Sequence, residues 1–276
     1  MSEEGAATSR AGHWWHANGA TLSDMPKNPD GCGVTGCKES GKPTRIDGAA
    51  GEFTLCPEHA RGGHFGRGRA WEEYEILEED LLQILKVMPL ETSTKAWWSP
   101  RLADLLRRTG SAVDSFLREW GRFPNIGIGK GQTNIKVYFE YFTPRIPEIL
   151  GTTVYVRSWD HEVHPWGGWT AEQGPPWWSA YNQVKHDAWG RRSKATMEHV
   201  VGALAALLVL HATNPFSRQY ICPEAARRIT RDANGIPIAE LWYHPVNVRT
   251  PLDRHHYLFE IRGIGNVSPP VPSASV

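Results

Sequence analysis

Two consecutive helices near residue 190 constrain the fold of this chain more than any other feature. A pair of prolines at 175 and 176 fits the first turn of a helix, where a missing N–H costs nothing, so the first helix is predicted from there to about residue 190. The second is predicted over about 194–211, with Ser193 as its N-cap and Asn214 stopping it. It is apolar and about 25 Å long, too short to span a bilayer, and is therefore predicted to be a buried core helix.

The first of these helices carries polar side chains at a regular spacing. Trp178, Asn182 and His186 are four residues apart and therefore share one face, while Tyr181 and Lys185 form the neighbouring row. An amide, an imidazole and an ammonium group are thus expected within one turn of each other at the end of a helix.

The motif that contains these residues resembles that of a known family. Residues 177–187 are Trp-Trp-Ser-Ala-Tyr-Asn-Gln-Val-Lys-His-Asp, and a short basic link joins them to a helix rich in Ala, Val and Leu. This pair is similar to the last two helices of HEPN-type helical bundles from bacterial and phage proteins. That superfamily includes metal-independent ribonucleases of toxin and antiviral systems, whose motif is Arg, a polar residue that is often Asn, a short spacer and His.

The resemblance assigns roles position by position. The polar residue falls on Asn182 and the histidine on His186, whereas the arginine position is held by Tyr181, which keeps a donor but has no permanent charge. Positive charge for a scissile phosphate would then come from the neighbouring cations, Lys185, Arg191 and Arg192. The resemblance also implies a homodimer in which two such motifs face one cleft.

The reaction implied by the resemblance is RNA cleavage by transesterification. An imidazole titrates near neutral pH, so His186 would take the proton of a 2′-hydroxyl or give one to the leaving 5′-oxygen. Asn182 would orient it or hold a phosphate oxygen. Two alternatives stay open. In the first, Asn182 and His186 would form a satisfied polar network that closes the bundle. In the second, the chain would be an inactive component of a phage or defence assembly that contacts protein or nucleic acid without cutting.

A second constellation lies near the N-terminus. Cys32 and Cys37 form one pair of candidate metal ligands, and Cys56 and His59 form another. Three thiolates and one imidazole satisfy tetrahedral zinc, and each pair has a spacing that one tight turn can present. The pattern resembles small Cys-x4-Cys … Leu-Cys-x-x-His modules of actinobacterial and phage proteins. A structural Zn²⁺ is therefore predicted, with free buried thiols as the alternative, while the isolated Cys222 is expected to be an ordinary apolar residue.

Charge and composition limit the partners of the chain. Thirty basic and thirty acidic side chains cancel, so any attraction to nucleic acid must come from a local patch. The thirteen tryptophans are expected to fill the core and its edges, with base-stacking platforms as the alternative. Crowded cysteines favour metal over disulfides, and neither a signal peptide nor a membrane span is visible, so a reducing cytoplasm is predicted.

The expected fold class is mainly α: a four-helix HEPN-like bundle with a β-strand insertion and a C-terminal hairpin, plus a small N-terminal zinc-binding module. The parts are a flexible tail, the zinc-binding module with a basic glycine-rich linker, the bundle, and a C-terminal extension that ends in a disordered tail. Their boundaries are 1–30, 31–69, 70–215 with the β insertion at 134–160, and 216–276.

Periodicity and capping signals predict the first two helices of that bundle. One is expected from Ala70, with its acidic residues in the first half, where the helix dipole favours them. The other is expected from Ser99 as cap and Pro100 at the first helical position to Gly121, with Gly110 weakening or breaking it.

Strands, or extended arms in the insertion, are predicted where β-branched and aromatic residues cluster between turn-forming residues. These segments are 135–142 and 152–159 in the insertion, and 238–243 and 256–261 near the C-terminus. The last two are expected to pair as a hairpin, preceded by a short helix at 223–231 and a turn at residues 234 and 235.

Overall fold

Helices dominate the computed structural model of the chain. The described residues are 31–46, 51–131, 133–156, 161–221, 227–231, 237–241 and 259–262. Over these residues the mainly α fold class is confirmed. The predicted flexible tail at 1–30, the turn at 234 and 235, the disordered C-terminal tail and Cys222 lie outside the described residues.

The helices of the described residues differ widely in length. They are α1 (Pro57–Ala60), α2 (Gly63–Gly66), α3 (Arg69–Leu85), α4 (Pro100–Gly121), α5 (Ile135–Phe142), α6 (Pro176–His186) and α7 (Met197–Thr213). Helices α4 and α7 lie side by side, and both α3 and α6 pack against each of them. An isolated β-bridge between Trp98 and Thr196 shows that α4 and α7 begin at the same end of the helices.

Helix α7 is the buried core helix that the sequence predicted. All residues from 200 to 212 are buried, so the helix is surrounded by protein along most of its length. Helix α6 packs against α7 at Gly202, where a Cβ would make an ordinary van der Waals contact with the Trp177 ring at 3.4 Å. Among the described residues, no helix combines the length and apolarity that a membrane span requires.

The boundaries of the two central helices differ from the predicted ones. Helix α6 ends at His186 rather than near residue 190, and α7 begins at Met197 rather than at about 194. The predicted cap, Ser193, lies in a 3-10 turn instead. The cap of α7 is Thr196, whose side-chain oxygen accepts a hydrogen bond from the His199 N–H at 3.3 Å.

Helix α4 continues without a break through Gly110, so the prediction that this glycine breaks the helix is wrong. A Cβ on Gly110 would lie 2.3 Å from the Tyr181 ring, so the glycine provides the space in which α6 packs. At the start of α4, the Ser99 hydroxyl accepts a hydrogen bond from the Leu102 N–H, which confirms the predicted cap.

The strand predicted at 135–142 is wrong, because this segment forms α5. The side-chain oxygen of Asn134 accepts hydrogen bonds from the N–H groups of Lys136 and Val137, which fixes the first turn of a helix. Tyr138 and Phe142, four residues apart, are fully buried on the same face. Local capping and the buried face therefore override the β propensity of the segment.

The strands of the described residues form three small antiparallel sheets. They are β1 (Lys42–Arg45), β2 (Glu52–Leu55), β3 (Thr153–Val156), β4 (His161–Val163), β5 (Arg227–Arg231), β6 (Pro237–Leu241) and β7 (Phe259–Arg262). The pairs are β1 with β2 and β5 with β6, while β3 lies between β4 and β7. The strand expected at 152–159 is thus present over its described part.

The C-terminal extension differs from the prediction in two ways. Residues 227–231 form strand β5 where the end of a short helix was expected, because they pair antiparallel with β6. The expected hairpin between 238–243 and 256–261 is also wrong, since β6 pairs with β5 and β7 pairs with β3.

A fully buried histidine lies near the C-terminal end of α7. The His211 ring contacts the rings of Trp71, Tyr74 and Phe116 edge to face, and its Nδ1 pairs with the Ser217 hydroxyl. Burial lowers the pKa of His211 to about 3, so the imidazole is neutral throughout the physiological range.

Candidate functional site

The four predicted metal ligands lie together at one end of the helices. The ligand atoms of Cys32, Cys37, Cys56 and His59 all lie within 4.8 Å of one another. The Nδ1 of His59 is 3.4 Å from the Cys32 Sγ and 3.2 Å from the Cys56 Sγ, and the Sγ atoms of Cys37 and Cys56 are 4.0 Å apart. Such separations match the edges of a tetrahedron of sulfur and nitrogen ligands around a metal ion.

Short-range backbone geometry places these ligands. The Cys37 N–H donates to the Val34 carbonyl, and Gly36 adopts a φ of 87° that an L side chain would strain, so the chain turns between the first two cysteines. Cys56 is the N-cap residue of α1, which carries His59 one turn later. Strands β1 and β2 lie between Cys37 and Cys56 in the sequence. Their antiparallel pairing folds the chain back on itself and so brings the two pairs of ligands together.

The metal-ligand cluster is attached to the end of α4. The Thr35 N–H donates to the Arg122 carbonyl at 2.9 Å, and its hydroxyl donates to the Ile128 carbonyl at 3.2 Å. The His59 ring meets the Phe123 ring edge to face at 5.5 Å between centroids. The cluster therefore shares the core of the helices and is part of the same packed structure.

Burial shifts the pKa values of two members of the cluster. Burial, together with the neighbouring thiols of Cys32 and Cys56, raises the pKa of the Cys37 thiol to about 11. A bound cation acts in the opposite sense, because it stabilises thiolates. Burial lowers the pKa of His59, which favours the neutral imidazole that ligates metals.

The candidate catalytic residues lie at the opposite end, around the last turn of α6. His186 and Lys185 are exposed to solvent, and Asn182, one turn earlier, is half-buried. The Lys185 ammonium lies 5.3 Å from the centroid of the Tyr181 ring. The structure thus brings an imidazole, an ammonium and an amide to one helix end, as predicted from their spacing.

Tyr181 occupies a different environment from its neighbours. Its side chain is only 1% exposed and packs where Gly110 leaves space on α4. The position that holds arginine in the HEPN motif therefore lies in the helix interface here, covered from solvent.

The loop after α6 carries the two remaining cations. The Asp187 carboxylate accepts a hydrogen bond from the Gly190 N–H at 2.7 Å and so stabilises the turn that leads to Arg191. Arg191 is exposed, and the Arg192 guanidinium lies over the Trp189 ring, 5.0 Å from its centroid. Both arginines follow His186 closely in the chain.

Three exposed tryptophans beside this loop were not singled out from the sequence. Trp97, Trp98 and Trp189 are 50%, 44% and 82% exposed. The core-filling expectation is confirmed for the buried tryptophans of the described residues, Trp71, Trp120, Trp166, Trp169, Trp177 and Trp178. No local signal in the sequence separates the exposed ones, because the buried Trp166, Trp169 and Trp177 also stand beside glycine and proline.

Comparison with known proteins adds no family assignment. No family model matches the chain, and no curated protein and no solved structure matches it either. The similarity to HEPN bundles therefore rests on residues 177–211 and stays a prediction.

Proposed function

We propose that this protein is a HEPN-like, metal-independent endoribonuclease whose site is the C-terminal end of α6. The observation that carries the proposal is the position of His186, which is exposed beside Lys185 in the last turn of the helix with Asn182 one turn earlier. The pairwise packing of α3, α4, α6 and α7 supports a four-helix HEPN-like bundle.

In the proposed reaction His186 removes the proton of a ribose 2′-hydroxyl, and that oxygen attacks the adjacent phosphorus. The bond between phosphorus and the 5′-oxygen breaks, and the leaving oxygen receives a proton, which gives a 2′,3′-cyclic phosphate and a 5′-hydroxyl. Lys185 and Arg191 stabilise the charge that develops on the phosphate oxygens, and Asn182 orients the imidazole or the phosphate. A homodimer of the kind found in the superfamily supplies a second imidazole as the acid.

We further propose that Cys32, Cys37, Cys56 and His59 hold a structural Zn²⁺. The donor set is the one that structural zinc sites use, and four protein ligands would complete the coordination of a tetrahedral Zn²⁺ and leave no open position. This metal is therefore assigned to stability, and the cleavage chemistry is assigned to the opposite end of the helices.

The test is RNA cleavage by the purified full-length protein without added divalent cations. Transfer RNA and total RNA are incubated with wild type and with His186→Ala, and products are analysed for 2′,3′-cyclic phosphate ends. We expect His186→Ala to reduce the rate by about 100-fold or more, the usual contribution of a general base. His64→Ala and Gln183→Ala, which change an exposed histidine on α2 and an exposed residue of α6, serve as controls and should cleave like wild type.

The assay is run with and without EDTA, and zinc content is measured in each sample so that loss of the structural metal is not mistaken for loss of a catalytic one. Cleavage that persists in His186→Ala would disprove the assignment of this histidine.

A second function is favoured by the burial of Tyr181. Because the position of the motif arginine faces the core, the same surface would serve an RNA-binding or scaffold component of a phage or defence assembly that does not cut. Binding of RNA without cleavage at any protein concentration supports this alternative over the nuclease.

A further inference from the structure

The exposed tryptophans and the cations around them form one surface, which we call the tryptophan edge. Its aromatic members are Trp97, Trp98 and Trp189, and its cationic members are Lys95, Arg101, Lys185, Arg191, Arg192 and Lys194. Two backbone contacts join its halves: Trp98 bridges to Thr196, and the Met197 N–H donates to the Trp97 carbonyl at 2.8 Å. The segment that precedes α4 therefore lies directly beside the link between α6 and α7.

The tryptophan edge is strongly positive although the whole chain is neutral. Segments 95–101 and 185–198 contain six Lys and Arg but only two acidic residues, Asp187 and Glu198. Among the described residues, the ion pairs do not include Lys185, Arg191 or Arg192. These charges are therefore available to a polyanion, which is the local patch that a neutral nucleic-acid-binding protein needs.

Burial of the six other tryptophans among the described residues makes the exposure of these three significant. A tryptophan loses much hydrophobic stabilisation when it stays in water, and six others in the described residues are buried. The Arg192 guanidinium stacks over one side of the Trp189 ring, while the ring remains 82% exposed. This arrangement orients the indole and leaves most of its surface open for a flat ligand.

We propose that the tryptophan edge is a stacking platform that binds single-stranded RNA next to His186, so that the substrate class is unpaired RNA rather than duplex. Flat aromatic faces interleaved with cations match splayed bases on a phosphate backbone, whereas the bases of a duplex are stacked on each other and are inaccessible to an indole. This inference rests on the proposed function for the choice of RNA, but it concerns binding and is tested separately from cleavage.

The experiment measures binding by the full chain carrying His186→Ala, so that cleavage does not interfere. The probe is a fluorescein-labelled single-stranded RNA of about 12 nucleotides, a length within the site sizes of single-strand grooves, and the same strand annealed to its complement. Fluorescence anisotropy is recorded for Trp189→Ala, for the double variant Trp97→Ala/Trp98→Ala and for Trp189→Phe. Ile76→Ala is the control, because Ile76 is an exposed apolar residue elsewhere on α3.

We expect the single strand to bind more tightly than the duplex, and each alanine variant to weaken binding by about tenfold or more. Trp189→Phe should retain most of the affinity because it keeps a π-face, and Ile76→Ala should bind like the parent. Three outcomes would overturn the proposal, since each means that stacking is not used. They are an equal loss of RNA affinity with Ile76→Ala, an equal affinity for the duplex, and displacement of the RNA by polyglutamate at matched charge.

The nuclease proposal and the stacking-platform proposal can be rejected separately. Tryptophan-dependent binding in a wild-type protein that never cuts RNA would reject the nuclease and keep the stacking platform. If cleavage depends on His186 but Trp189→Ala changes neither cleavage nor RNA binding, the stacking platform is rejected and the nuclease is kept. Melting curves of every variant establish that the fold is intact.

Discussion

The end of the helices that carries Cys32 and the end that carries His186 differ in how their polar and aromatic groups are partnered. At the first end, thiols, the His59 ring and a cluster of aromatic side chains face each other, and His211 is completely buried among them. At the second end, the imidazole of His186, two arginines and three tryptophans face solvent.

This difference indicates that the two ends of the helices have different roles. Buried and mutually bonded groups stabilise a fold, whereas grouped exposed indoles rimmed by charged side chains are typical of a surface that binds a ligand. We therefore predict that the cysteine end stabilises the fold and that the His186 end contacts a ligand.

Removal of one metal ligand is the strongest test of this difference in roles. Cys56→Ser should abolish zinc binding and destabilise the protein by about 4 kcal/mol, as expected when free metal exceeds its dissociation constant by about 1,000-fold. The melting temperature should fall by roughly 10 °C for a chain of this size. Zinc content by mass spectrometry and thermal unfolding check the two effects.

Cys222→Ser is the matched control for that experiment, because Cys222 is the one cysteine of the sequence that is not among the predicted zinc ligands. It should keep the wild-type zinc content. Equal zinc content in both variants would mean that the four ligands do not act as a unit.

A smaller effect is expected at the contact between α4 and α6, midway between the two ends. Gly110→Ala would place a methyl group 2.3 Å from the Tyr181 ring, and overpacking of this kind costs about 1–3 kcal/mol. Better helix propensity offsets up to about 1 kcal/mol of that cost. Urea unfolding should therefore show a net loss of stability.

Gly131→Ala provides the reference for this substitution, since no atom lies within 4 Å of a Cβ at that position. Combining Gly110→Ala with Tyr181→Ala should produce less destabilisation than the sum of the single variants, because the second change removes the clash. Additive effects would show that Tyr181 is not held in this interface.

The buried histidine predicts a pH dependence that belongs to the cysteine end. The pKa of His211 is lowered from 6.5 to about 3 in the folded protein, so between these values the unfolded chain binds more protons. The free energy of unfolding should therefore fall as the pH drops below 6.5. Acid also protonates metal ligands. The measurement is therefore the slope of the free energy of unfolding against pH, compared between wild type and His211→Leu.

The slope should be shallower in His211→Leu, because the buried imidazole no longer has to be protonated on unfolding. His64→Ala, which removes an exposed histidine from α2, should keep the wild-type slope. Parallel curves for wild type and His211→Leu would place the titrating group elsewhere.

Local signals in the sequence were enough for α3, α4, α6 and α7 and for the clustering of the four candidate metal ligands. The cap at Ser99, the prolines that open α6 and the paired ligands around Cys56 act over a few residues, and each was predicted correctly. Where two local signals conflicted, as in 135–142, the pattern of β-branched and aromatic residues was misleading because the Asn134 cap and a buried helical face decided the structure.

Long-range pairing was beyond the reach of local patterns. Strand β7 pairs with β3, about a hundred residues earlier in the chain, rather than with the nearer β6. The exposure of Trp97 and Trp98 likewise depends on where the segment before α4 meets residues 195–198. Composition alone could not distinguish these two tryptophans from those of the core.

The smallest expected effect on the free energy of unfolding is at the His186 end. The two ends can be compared directly here, because a tryptophan is replaced by alanine at each. Trp120, 1% exposed and in contact with Phe116 and Phe142, should cost about 3–5 kcal/mol when replaced by alanine. Trp189→Ala should change the free energy of unfolding by less than about 0.5 kcal/mol, since the ring is largely in solvent. Urea unfolding of the two variants compares them directly. If Trp189→Ala were as destabilising as Trp120→Ala, that indole would support the fold, and its exposure would no longer indicate a ligand.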